Sequence, residues 1–261
     1  MKKTLSLLAV FAVAGMMSAP AQAADHYISG MAGISWFQDS ELGLPLNIDE
    51  AAGAEINLGY GSGLTVAGAI GCDYGSTRLE AEVGYQNADI EGISATLSDD
   101  ILFMDEGTYA LGLEGDATVM SLMANGFYDI DLGGVELYAM AGVGVAQVNF
   151  NITGIGAADI DEMPTASVAQ MDNDIDFDAI ALDVSETTLA YQVGAGLAIP
   201  ISDGVMLDAR YRYFATTDFT LDTDLIVGKQ LGTSGPVIGA GSGIDTNVSS
   251  HSAMLGLRVS L

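Results

Sequence analysis

The side chains able to do chemistry are few, and their spacing narrows what that chemistry can be. The chain of 261 residues carries two histidines, His26 and His251, and one cysteine, Cys72. The strand pattern set out below puts the two histidines at opposite ends of the molecule, so a His/Cys metal cluster is not expected. Cys72 falls on an apolar strand face and reads as a buried, unreactive thiol. His251 stands among Ser249, Ser250 and Ser252. Those are the residue types of a Ser-His-acid set acting on lipid, but no nucleophile motif accompanies them. Asp172, Asp174, Asp176 and Asp178 alternate along one stretch, with Asp183 beyond them, the spacing at which an EF-hand loop places its oxygen ligands. Phe177, however, takes the place of the turn glycine and Asp183 that of the bidentate glutamate. The run therefore reads as an extended strand with one acidic edge, either a solvated face or a weak Ca²⁺ or Mg²⁺ site. No other cofactor is expected.

The remaining candidates are charges at a two-residue period. Arg78, Glu80 and Glu82 form one such set, Asp208, Arg210 and Arg212 another, and Glu136 and Arg258 stand singly. On strands, each set occupies one face, where acids and guanidinium groups form ion pairs or a relay for protons or small ions.

The elements that carry these charges follow from composition and period. Lys2 and Lys3, the apolar run from Leu5 to Met17, and Ala21-Gln22-Ala23 make a Sec signal peptide. The expected organisation is a signal peptide over residues 1–23 and one barrel domain over residues 24–261. Removal of the signal leaves five basic side chains against 35 acidic ones, a net charge of −30. So acidic a chain has no basic face for phosphates, which excludes nucleic acid as a partner. With 49% hydrophobic residues it is not a disordered polyanion either. The apolar and the charged populations must be segregated in space.

Residues 137–158 carry no charge and are long enough to span a membrane as a helix, but Gly142, Gly144, Asn149, Asn151, Gly154 and Gly156 make a poor one. At period two the same stretch is good strand, with Leu137, Ala139, Ala141, Val143 and Val145 on one face. The pattern recurs around three tight turns. Leu64 to Tyr74 turns at Gly75-Ser76 into Leu79 to Tyr85. Met120 to Ile130 turns at Asp131 to Gly134 into the strand just named, and Leu189 to Ile199 turns at Ser202-Asp203-Gly204 into Val205 to Tyr213. With terminal strands over Tyr27 to Phe37 and Ala253 to Leu261, the prediction is an all-β fold: an eight-stranded antiparallel up-and-down transmembrane β-barrel. Its strands are about ten residues long. Roughly residues 38–62, 87–116, 151–187 and 217–250 are then long outer loops, opposite the short turns. A soluble barrel, the alternative, would turn the apolar face inward.

The charged sets take the phase opposite to the apolar stripe, which points them into the lumen. The strands carrying Glu80 and Arg210 are third and seventh in the ring and stand across it, in a bore only wide enough for side chains. The expected network has Glu80 and Glu82 meeting Arg210, Arg212 and Arg258. A plug holding the barrel shut is one reading of it, and a gated polar path for protons or small ions is the other.

The strands resemble those of the opacity-protein and Msp4/P44-like surface antigens, small OmpA-like eight-stranded barrels of the Gram-negative outer membrane. The resemblance lies in Tyr27-Ile28-Ser29-Gly30, Arg78-Leu79-Glu80-Ala81-Glu82-Val83-Gly84-Tyr85, and Asn125-Gly126-Phe127-Tyr128-Asp129. It continues in Tyr191-Gln192-Val193-Gly194-Ala195-Gly196, Asp208-Ala209-Arg210-Tyr211-Arg212-Tyr213-Phe214 and Leu255-Gly256-Leu257-Arg258. It covers about half of the chain, the strands and not the loops. It implies a barrel with surface-exposed variable loops, often used in adhesion. The last residue is Leu261, where such barrels typically end in Phe, read by the barrel assembly machinery. The expected function is a non-enzymatic surface protein, structural or adhesive, with outer-membrane lipid, the assembly machinery and host or environmental surface ligands as partners. A narrow porin-like channel is the alternative, and a lipid-modifying enzyme at the rim a third reading. If the aspartate run holds Ca²⁺, chelation will speed protease cleavage near residues 172–178; equal cleavage in chelator and in excess Ca²⁺ refutes the metal site.

Overall fold

The computed structural model of the protein describes residues 25–41, 54–97, 107–155, 182–221 and 244–261. The expected signal peptide and Asp172, Asp174, Asp176 and Asp178 lie outside them. All regular structure in the described residues is β-strand: β1 (Asp25–Phe37), β2 (Ser40–Glu41), β3 (Ala54–Tyr60), β4 (Ser62–Asp73), β5 (Thr77–Leu97), β6 (Gly107–Asp131), β7 (Glu136–Ile155), β8 (Leu182–Ser202), β9 (Val205–Thr216), β10 (Phe219–Leu221), β11 (Ile244–Thr246) and β12 (Ser249–Ser260). Eight of them close a ring, β1-β4-β5-β6-β7-β8-β9-β12 and back to β1, antiparallel throughout. Followed through the register from Tyr27, the ring passes Gly71, Glu80, Asn125, Gly142, Gln192, Phe214 and Ser250. It returns to β1 at Phe37, ten residues from its start. A stagger of that size in eight strands sets the tilt at about 35–45° and leaves a bore that side chains fill.

The three tight turns lie at one end together with both described termini. At the first two, the Asp73 and Asp131 carboxylates each accept a backbone N–H two residues on, from Gly75 and Gly133, at 2.8 Å. Gly75, Gly133, Gly134 and Gly204 sit at φ of +95°, +79°, +125° and +71°, where an L side chain is strained. The Leu261 N–H donates to the His26 carbonyl and the Ser260 N–H to the Gly204 carbonyl, tying the chain's last residues to this end.

Outward positions are apolar, and Val143 and Leu255 are 66% and 63% exposed, an apolar band too continuous for a protein surrounded by water. Inward glycines make room for the large lumen side chains. The Tyr27 ring lies over its cross-strand partner Gly71, and the Tyr138 ring over Gly196, in the space a Cβ would need.

The strands are longer than expected on one side. β5 to β8 run about ten residues beyond the band, into stretches expected as loops, and β3 adds a fifth strand to their edge. The two faces exchange character there. In register, Val83, Leu122, Val145 and Leu189 point outward in one row, whereas two rows on the outward residues are Asn87, Thr118, Asn149 and Ser185. The neighbouring inward row is Ala88, Ala117, Phe150 and Val184, all buried. This upper part is therefore built like a soluble barrel, polar outside and largely apolar inside, with Glu186 an inward acid at the level of Val148. Its inner face packs on Phe37, Phe214, Phe219 and Val248 in one apolar cluster, each large side chain contributing about 1.5–3 kcal/mol by burial. Tyr60 belongs to the same cluster; burial pushes its phenol up to about 12, and its hydroxyl reaches Ser40 at 3.4 Å.

Candidate functional site

Alternation places Arg78, Glu80 and Glu82 of β5, Glu136 of β7, Asp208, Arg210 and Arg212 of β9, and Arg258 of β12 inside the ring. All but the half-buried Glu136 are buried. Glu82 is the hub. Its carboxylate accepts from Arg210 Nη1 at 3.2 Å, Arg212 Nη1 at 3.0 Å, Asn125 Nδ2 at 3.1 Å and Gln192 Nε2 at 3.3 Å. Four donors on two oxygens saturate an ionised carboxylate, as a charge with no water requires. Arg212 continues to Thr65 Oγ1 at 3.1 Å on the far side of the bore. Glu80 accepts from the Tyr27 hydroxyl at 2.8 Å and faces Arg210 Nη2 at 3.9 Å.

Toward the turn end, Arg78 grips Asp129 with Nε and Nη2, both at 2.8 Å, in a bidentate pair. Its guanidinium lies 4.4 Å from the Phe127 ring centroid and 5.0 Å from that of Tyr138. Arg210 packs against the same rings, 5.1 Å from the Phe127 centroid and 5.7 Å from that of Tyr138. The Tyr138 hydroxyl donates to Asp208 and accepts from Arg210 Nε at 3.2 Å. The structure differs from expectation at Arg258, which pairs with Glu136 at 2.5 Å and not with Glu80 or Glu82. Both residues adjoin the turn end, Glu136 opening β7 and Arg258 near the close of β12, whereas Glu80 and Glu82 stand further along the bore.

Asp129, Asn125, Gln192, Thr65 and the tyrosines were not among the sequence candidates. Parity would have found Asp129, which lies between the outward Tyr128 and Ile130. Gln86 and Ser250 pair at 2.8 Å where the apolar cluster begins, Gln86 beside Val119 and Ser250 between Phe37 and Phe214.

The two histidines stand at opposite ends on the outer wall. His26 Nδ1 is 3.4 Å from the half-buried Cys72 Sγ at the turn end. His251 faces outward, while Ser250 and Ser252, one residue to either side, are wholly buried inside. The Ser249 hydroxyl donates to Gln38 at 2.7 Å. No Ser-His pair forms among the described residues; the partner of His251 is Tyr211, whose hydroxyl lies 2.7 Å from Nδ1. Among the described residues no group of three His, Cys, Asp or Glu side chains is placed to hold a metal ion.

Closed antiparallel strands, short turns with both described termini at one end and an apolar outer band are the geometry of a membrane barrel. Residues 9–258 match the family model of the outer membrane protein beta-barrel domain. The chain belongs to that family. It is an outer-membrane β-barrel protein, and kinship with opacity or Msp4/P44 antigens in particular rests on the strand motifs alone. Among solved structures it is similar to Neisserial surface protein A, with 15% identity and a TM-score of 0.43 over 90% of this chain and 97% of that one. Ail, the attachment invasion locus protein of Yersinia pestis, has 14% identity and a TM-score of 0.35 over 90% and 99%. The outer membrane protease OmpT of Escherichia coli has 10% identity and a TM-score of 0.47 over 94% and 100%. No curated protein sequence matches the chain.

Removing one partner of the hub leaves a buried charge uncompensated, so Glu82→Ala is expected to cost about 3–5 kcal/mol of barrel stability. Urea unfolding of the folded barrel in detergent measures it, and an unchanged midpoint contradicts the assignment of Glu82 as the hub.

Proposed function

We propose that the protein is a non-enzymatic surface element of the outer membrane, exported by a Sec signal over residues 1–23, that presents acidic outer loops on a closed barrel. The observation that carries this reading is the filled bore. The guanidinium and carboxylate groups around Glu82 are buried and paired with one another, Glu82 with Arg210 and Arg212 and Glu80 facing Arg210, and the apolar cluster lies above them across the outer part of the barrel. A conducting pore needs a wet polar path along its whole length, and an apolar layer above a buried ion-pair layer interrupts one. What the protein offers its surroundings is then its outer surface. Asp89 and Glu91 on β5 already give the upper wall exposed acids among the described residues, and the loop sequences add more. Electrostatic complementarity favours basic patches on host or environmental surfaces as ligands.

Planar-bilayer recording tests the closed barrel. The purified protein is expected to give no unitary current steps, and steps abolished by Glu80→Gln or Arg210→Ala would establish the channel reading instead. Loss of surface attachment on replacing residues 156–181 with a neutral linker, with the barrel still folded, is the outcome expected of an adhesive loop; unchanged attachment removes that role from this loop.

A further inference from the structure

Signal cleavage after Ala23 makes Ala24-Asp25-His26 the first three residues of the exported chain. That order has a chemistry of its own. A free α-amine, the amide nitrogens of the second and third residues and the imidazole of a histidine in third place can all reach one metal ion, closing three fused chelate rings in a plane. Four nitrogens in a plane suit Cu²⁺ and Ni²⁺ and not the tetrahedral Zn²⁺. Three of the four donors are main-chain nitrogens, so the arrangement needs no cluster of metal-ligating side chains.

The fold leaves these atoms within reach. β1 begins at Asp25, and Asp25 and His26 are both exposed at the turn end. The His26 carbonyl accepts from the Leu261 N–H. The N–H and C=O of one strand residue face the same neighbour, so the His26 amide points at the chain's last residue. The Asp25 amide points the other way, to β4, where Asp73 is the last partner in that ladder. Coordination therefore displaces only the outermost rung on each side. The rung toward β4 is weak in any case, because it sets two aspartates directly opposite each other. With Asp131 and Asp203 in the other two turns, they give this end a negative potential that draws in cations. The His26 ring lies along the wall with Nδ1 3.4 Å from Cys72 Sγ, and its exposure lets it swing back over its own backbone. Coordination at Nδ1 fixes the tautomer, leaving the proton on Nε2 whichever nitrogen carried it before.

We propose that the processed amino terminus binds one Cu²⁺ or Ni²⁺ ion through the Ala24 α-amine, the amide nitrogens of Asp25 and His26, and His26 Nδ1. The site lies on the periplasmic side, where membrane barrels have their short turns. Cu²⁺ takes it ahead of Ni²⁺, following the general affinity order of divalent ions. Cys72 lies beside the plane and not in it. The amide protons leave as the metal enters, so binding strengthens as pH rises. The inference rests on the signal cleavage in the proposed function and on neither the adhesive loops nor the closed bore.

The processed full-length protein, folded in detergent, is weighed intact by mass spectrometry and then titrated with Ni²⁺, which leaves the Cys72 thiol unoxidised. Visible absorption follows the planar nickel complex. The expected result is a band that saturates at one ion per chain, with release of protons, and that Cu²⁺ replaces. His26→Ala is expected to abolish the band. One alanine inserted between Ala24 and Asp25 makes the histidine fourth in the chain, keeps every side chain and is expected to abolish it too, whereas Cys72→Ser leaves it unchanged. Gel mobility before and after boiling verifies that each variant is folded. A mature chain that begins anywhere but Ala24 overturns the cleavage assignment and the site with it. A chain that begins at Ala24 and gives no band, or a band that survives the insertion or disappears with Cys72→Ser, overturns the site alone.

Discussion

Each strand of this protein crosses a region where neither side is water: lipid lies outside, and the bore inside is too narrow for bulk solvent. A polar group pointing outward there has no partner, and a charged group pointing inward must find one on another strand. Most of the structure follows from this constraint. Apolar side chains take every outward position of the band, and the polar side chains of the same strands meet across the bore. Where the lipid ends the constraint reverses, and so do the faces. Gln147, Asn149 and Asn151 point out on β7 while Val148 and Phe150 point in, continuing the strand in the manner of a soluble barrel. One chain thus follows two rules at two heights, and the level of exchange marks the membrane boundary.

Inside the bore the choice of cation matters. Every described inward cation is arginine. Its planar fork bridges Glu82 to Thr65 through Arg212, or grips Asp129 twice while standing over the Phe127 ring through Arg78. Lysine, a point charge on a flexible stem, would satisfy one contact and leave the others open. The aromatic rings that receive these guanidinium groups are accommodated because glycine stands opposite the bulkiest of them. The glycine content, the arginine placement and the ring stacking are three consequences of packing a narrow polar core without water.

Much of this was legible in the sequence. Leu137 to Val145 announces its lipid face by period alone, and the same parity sends Arg78, Glu80, Glu82, Arg210 and Arg212 inward. Three things were not legible. Parity gives the face of a residue but not its height, and height depends on the stagger of the closed ring; hence Arg258 was expected beside Glu80 and Glu82, when Glu136 stands at its level. The upper halves of β5 to β8 read as loops because their alternation continues with the faces exchanged, Gln-Val-Asn-Phe-Asn in β7. That pattern breaks the apolar stripe without breaking the strand. The cluster around His251 was hidden for a third reason: its serine neighbours in sequence point to the opposite side of the wall, while its partners lie on adjacent strands.

The exchange of faces on continuous strands is the claim on which the closed lumen and the membrane level both depend. A spin-label scan of β7 in bilayers, in a Cys72→Ser background, tests it most directly. Labels at Val143 and Val145 are expected to be relaxed by oxygen dissolved in the lipid. Labels at Gln147, Asn149 and Asn151 are expected to be relaxed by a water-soluble agent, and labels at Val148 and Phe150 by neither. Lipid access persisting through Asn151, or aqueous access at Val148 and Phe150, would contradict the account.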